Sequence, residues 1–149
     1  FLIHFTPVAG RNIMIRPLTM SLLALSFLSA RAEAQGKKPK EPEFDGRSLS
    51  SWVADLKGIA PQTRNAAAYA ISGMGPAAKS AVPALIAALD DPEPVVRFPV
   101  CIALREIGPD AIEAVPALTK ALDDRNDDVA AMARKAIITI TGEDPPPTD

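Results

Sequence analysis

Residues 81–94 read AVPALIAALDDPEP, and residues 114–127 read AVPALTKALDDRND. The second stretch restates the first after 33 residues. Self-similarity at a fixed period marks a repeat architecture, so it governs every later assignment. Sliding the chain on itself by 33 residues aligns Leu56, Leu89 and Leu122 without a gap. In the same register Val53 meets Ile86 and Thr119, and Ala70 meets Ala103 and Ala136. Ile71, Leu104 and Ile137 follow, then Met74, Ile107 and Ile140. Gly75-Pro76 falls on Gly108-Pro109. Three units result, at about 49–75, 76–108 and 109–142, the first without the opening segment of the other two.

Each unit holds two apolar stripes at helical period. In the middle unit Val82, Leu85, Ile86 and Leu89 form the first stripe, and Val96, Val100, Ala103, Leu104 and Ile107 form the second. Such one-sided patterns argue amphipathic helices. The link LDDPEP (residues 89–94) offers aspartates for capping and a proline at a helix start. No unit can bury two stripes alone, so stacking must bury them. The expected fold is therefore all-α: a short α-solenoid of three helix pairs.

The recurring patterns are A-V-P-A-L-x-x-A-L-D-D in the first helix and V-R-x-x-x-x-x-A-L-x-x-I-G in the second. They resemble the HEAT repeat, in the short-period form named for the phycobilisome lyases. The resemblance covers about 90 of 149 residues. It implies a scaffold whose stacked second helices line a concave binding face. It also implies a ladder, in which an Asp after the first helix and an Arg six residues on link successive units. Asp91 and Arg97 match; the first unit has Arg64 but Gly58 for the Asp, and the third has Asp124 but Ala130 for the Arg. The implied rungs run from Asp91 to Arg64 and from Asp124 to Arg97. Pro99, aligned with Ala66 and Met132, departs from the pattern. It removes a helix hydrogen bond or marks a later helix start.

The front of the chain reads as a secretory signal. Arg16, the apolar run Leu18–Ala30 and Ala32-Glu33-Ala34 follow in the order of n-region, h-region and cleavage site, with Met14 read as the start. The run has 13 residues, short of the roughly 20 that span a bilayer. Residues 1–34 are thus expected to be upstream sequence and signal peptide. Residues 35–47 read as a flexible linker, 48–142 as the repeat domain and 143–149 as a disordered tail. The expected location is secreted or periplasmic, with no stable membrane span after cleavage.

Composition narrows the chemistry. From Gln35 onward there are 13 basic and 17 acidic side chains, a net charge of −4, which disfavours nucleic acid. His4, the single histidine, precedes Met14, so the mature chain has none for a catalytic triad or a metal site. Cys101 is alone, so no internal disulfide forms. Aligned with Ala68 and Arg134, it reads as a small apolar filler. Trp52 aligns with Leu85 and Leu118 and reads as core. DDRNDD (residues 123–128) imitates an EF-hand start, but Val129 and Lys135 stand where that loop needs Gly and Glu. No catalytic residue, metal site or cofactor is expected.

The second-helix face opposite the stripes is left. It carries Asn65 and Tyr69 in the first unit, Phe98, Ile102 and Arg105 in the second, and Ala131 and Lys135 in the third. Apolar residues beside Tyr and Arg on an outer face suit a protein-binding patch. The alternative is that Pro99 rotates the helix and buries Phe98, or that Phe98 packs on the linker. The leading functional reading is a non-enzymatic extracytoplasmic interaction module with an unidentified protein partner. The other reading is an enzyme or accessory like the bilin lyases or deoxyhypusine hydroxylase. The latter's His-Glu iron ligands have no counterpart in the mature chain.

Overall fold

The structure is a computed structural model and describes residues 40–146. The expected signal peptide, the first residues of the linker and the last of the tail lie outside these. Among the described residues a two-stranded hairpin, β1 Glu43–Phe44 and β2 Arg47–Ser48, precedes six α-helices. They form three pairs: α1 Leu49–Asp55 with α2 Pro61–Gly73, α3 Val82–Ala88 with α4 Pro94–Ile107, and α5 Val115–Lys120 with α6 Asp127–Thr141. This is the all-α solenoid that the 33-residue period predicts.

Local chemistry sets the boundaries. Both α2 and α4 open on a proline, where the missing N–H has no helical partner to lose. The third unit has no proline there; instead Asn126 Oδ1 accepts from the Val129 N–H at 3.1 Å and caps α6. Gly75, Gly108 and Gly142 follow the three second helices with φ of 54°, 74° and 79°. Only glycine takes that left-handed region without strain, so each stops its helix. After the first two, the Gly-Pro pairs open 3-10 segments, Gly75–Ala81 and Gly108–Ala114, which lead into α3 and α5.

Packing follows the repeat. Helix α2 lies along α4, and α4 along α6, as one layer. The first helices and 3-10 segments form the other. The equivalent residues Ile71, Leu104 and Ile137 are 0%, 0% and 4% exposed between the layers. Buried Ala67, Ala68, Ala103, Ala133 and Ala136 let the long helices approach closely. No polar or charged residue belongs to this core among the described residues.

One edge is pinned by charge. Arg64 grips Asp91 with Nε–Oδ2 at 2.6 Å and Nη2–Oδ1 at 3.0 Å. Arg97 grips Asp124 with both contacts at 2.7 Å. Each guanidinium also donates Nη1 to two loop carbonyls, Gly58 and Ile59 for Arg64, Asp91 and Pro92 for Arg97. These are the two rungs expected from the resemblance. Burial works against the Asp91 charge, but Arg64, the Glu93 backbone N–H and Arg97 outweigh it and hold its carboxyl below the usual value. The Arg97 hydrogen bonds do the same for Asp124.

The linker expectation needs correction at its C-terminal end. Residues 43–48 form the hairpin, turning through Asp45-Gly46 with both residues at positive φ. It is held by side chains the composition argument did not weigh. Trp52 Nε1 donates to the Phe44 carbonyl at 3.1 Å. Arg47 stacks 3.8 Å from the Trp52 ring centroid and pairs with Asp55 at 2.7 Å. Trp52 is accordingly half-buried rather than deep core, packed against the cluster from one side. The tail is also tied at its start. Arg134 Nη1 donates to Asp144 Oδ1 at 2.7 Å and to the Pro145 carbonyl at 2.8 Å.

Candidate protein-binding groove

The layer of long helices presents one face away from the first helices. Helical spacing brings Asn65 and Tyr69 of α2 to it, one turn apart. The parallel stacking of α4 and α6 sets their equivalents alongside. The result is an open groove of about 320 Å³ lined by Asn65, Tyr69, Pro94, Val95, Phe98, Asn126 and Asp128. All three units contribute to it.

Of the residues picked from sequence, Asn65, Tyr69 and Phe98 meet in this groove. Tyr69 is 46% exposed, while Phe98 is half-buried, its ring packed partly against the core. Ile102 is half-buried one turn further along α4 and does not line the groove. Arg105 is turned to Glu106 and to the Met132 sulfur at 3.6 Å. Lys135 is exposed on α6, also outside the lining.

Val95, Asn126 and Asp128 were missed. Val95 and Asp128 occupy one repeat position, 33 residues apart, a single turn before Phe98 and Ala131. Extending the outer stripe by one turn toward the helix starts would have found both. Val95 is 54% exposed, an apolar side chain left in water at the groove wall.

Pro99 explains how Val95 is held. It lies inside α4 and is fully buried, so the helix does not restart there. Lacking an N–H, it cannot donate to the carbonyl of Val95 four residues earlier. Asn65 Nδ2, from the neighbouring unit, donates to that carbonyl at 2.6 Å. A side chain of one repeat thus replaces a backbone bond lost in the next. Asn65 is occupied in this way and shapes the groove as much as it faces it.

The rest of the site chemistry is inert. Cys101 is fully buried, and burial pushes its thiol up to about 12, far from a reactive thiolate. In the acidic turn Asp124 holds Arg97 and Asn126 caps α6, so their oxygens are already engaged. Among the described residues no three His, Cys, Asp or Glu side chains gather as metal ligands. No described helix is long and apolar enough to cross a membrane.

No curated protein matches the chain. A family model of HEAT repeats matches residues 51–138, more than half of it, and spans all three helix pairs. HEAT repeats are in general non-catalytic modules for contact between proteins. With the helix pairs, the rungs and this match in agreement, the chain belongs to the HEAT repeat family.

Proposed function

We propose that this protein is a non-enzymatic, extracytoplasmic interaction module that docks a protein partner in the groove across its long helices. The single observation that carries the docking reading is the groove itself. Exposed Tyr69 and Val95 lie beside half-buried Phe98, with polar Asn126 and Asp128 at the edge. An apolar centre with a polar rim is the anatomy of an interface. The few hot-spot residues of such patches, enriched in aromatics, cost about 2 kcal/mol or more of binding when truncated. The extracytoplasmic part rests on the Arg16, Leu18–Ala30 and Ala32-Glu33-Ala34 order.

Site-specific photo-cross-linking tests the docking. A benzophenone side chain at Tyr69 is expected to capture a discrete partner in the native cell envelope. The same group at exposed Glu113, in the other layer, is not. Equal capture from both positions, or none from Tyr69, rejects the groove. Phe98→Ala is expected to weaken capture more than it lowers the melting temperature, and Tyr69→Ala to do so less. Mass spectrometry of the mature N-terminus tests export: a start near Glu33 or Gln35 is expected, and an intact Met14 start removes that half of the reading.

A further inference from the structure

The groove has a definite charge as well as a shape. No lysine or arginine lines it, and the carboxylate of Asp128 does. Among the described residues Asp128 takes part in no ion pair. Two further exposed acids stand at the adjoining helix starts, Glu93 before α4 and Asp127 in α6. The nearby arginines of α4 and α6 are engaged elsewhere, Arg97 with Asp124, Arg105 with Glu106 and Arg134 with Asp144. Arg125, exposed on the preceding turn, does not line the groove. The start of α6 contributes about half a positive charge, which two first-turn carboxylates outweigh. Tyr69 and Phe98 line the same groove as the acid.

Aromatic faces attract cations, and a carboxylate forms the stronger, charge-assisted kind of hydrogen bond. A guanidinium satisfies both at once. It is less hydrated than an ammonium, and its flat ion stacks on rings. The groove holds about 320 Å³. That is the bottom of the roughly 300–1,000 Å³ range of small-molecule pockets, a size that suits one long side chain and its neighbours. We propose that the groove takes an arginine side chain of the partner polypeptide, its guanidinium on Asp128 and its stem against Tyr69, Val95 and Phe98. The assignment rests on the docking reading above and names its chemistry.

The test uses the full chain, labelled with nitrogen-15, and two probe peptides. One is acetyl-Leu-Arg-Leu-amide; the other carries citrulline, the neutral isostere, in place of arginine. Titration at low salt is expected to move the backbone amides of Tyr69, Val95, Phe98 and Asp128 with the arginine peptide. Its affinity should exceed that of the citrulline peptide by about fivefold, the order expected for one charge-assisted contact at a half-open site. Asp128→Asn, at an exposed position, should keep the folded spectrum and erase the difference. Equal affinities at the groove overturn the arginine preference and leave docking intact. A difference that survives Asp128→Asn, or no groove shifts with either peptide, also overturns it. Docking as such is then decided by the cross-linking at Tyr69.

Discussion

The bond between Asn65 and the Val95 carbonyl allows a quantitative check on how neighbouring repeats are joined. Asn65→Ala removes the donor at 2.6 Å. Val95 is 54% exposed, so water can take its place, and the loss is the net worth of one neutral hydrogen bond, about 0.5–1.5 kcal/mol. Pro99→Ala acts the other way. It returns an N–H four residues after Val95 and lifts the roughly 3 kcal/mol helix penalty of an interior proline. It also deletes two ring methylenes from a fully buried site, at about 0.8 kcal/mol each. The expected net effect is a gain of about 1 kcal/mol, trimmed by the small void left behind. In that background the Val95 carbonyl already has its helical donor. Asn65→Ala should then cost less, with a coupling of about 0.5–1 kcal/mol between the two sites. Urea melts of the four proteins measure it, provided their m-values agree. Effects that add within about 0.3 kcal/mol would refute the substitution of one bond for the other.

Three further outcomes follow from the packing. Leu104→Ala empties a fully buried site between the layers and should cost about 2–5 kcal/mol by denaturant titration; an unchanged melt would mean the repeat register is wrong. Asp91 and Asp124 are held below the ordinary value of 3.8 in the folded chain, so their stabilisation is present above that value and is lost as pH falls through the lowered folded values. Asp124→Asn should flatten that acid limb, and an acid limb of unaltered depth would remove the rung as its cause. The buried Cys101 thiol, pushed up to about 12, should resist iodoacetamide at pH 8 until the chain unfolds. Alkylation of the native protein at the rate of a free thiol would contradict its burial.

The helix pairs were legible because the stacking residues recur. Leu56, Leu89 and Leu122, or Ala70, Ala103 and Ala136, are fixed by what each unit must bury. The rungs were legible from the resemblance, since a fork-shaped ion needs an Asp at one spacing only. The 3-10 segments were not recognised. The alignment of Gly75-Pro76 with Gly108-Pro109 does not by itself name the element that each pair opens. Their signal was present: Ala78 and Ala81, then Ala111 and Ala114, are buried at a spacing of three, the 3-10 period. The hairpin was hidden by its neighbourhood. Lysines and prolines over residues 37–42 outweighed Asp45-Gly46, a strong two-residue turn signal beside a single aromatic. Half of the groove was missed for a different reason. Val95 and Asp128 lie in the first turns of their helices, one turn before Phe98 and Ala131, where the outer stripe was taken to begin.

The departures from the repeat fall into two groups with different consequences. The first lies at the ends of the ladder. Gly58 stands where an Asp would reach toward an earlier Arg, and the hairpin with Arg47–Asp55 covers that side instead. Ala130 stands where an Arg would reach toward a later Asp. Arg134, in the place of buried Cys101, turns to Asp144. Polar closure of this kind is what terminal repeats of a solenoid require. The second group lies on the groove face. Gln62, Val95 and Asp128 share one repeat position; Asn65, Phe98 and Ala131 the next; Tyr69, Ile102 and Lys135 the third. None of these positions keeps its residue across the three units, whereas Leu56, Leu89 and Leu122, and Ala70, Ala103 and Ala136, are identical, and Ile71, Leu104 and Ile137 stay aliphatic. Stacking is secured by the other face and by the rungs at one edge, so the groove side is free to carry a different side chain in every unit. That freedom permits aromatics in the first two units to share a groove with an acid in the third, an asymmetry that three identical repeats could not provide.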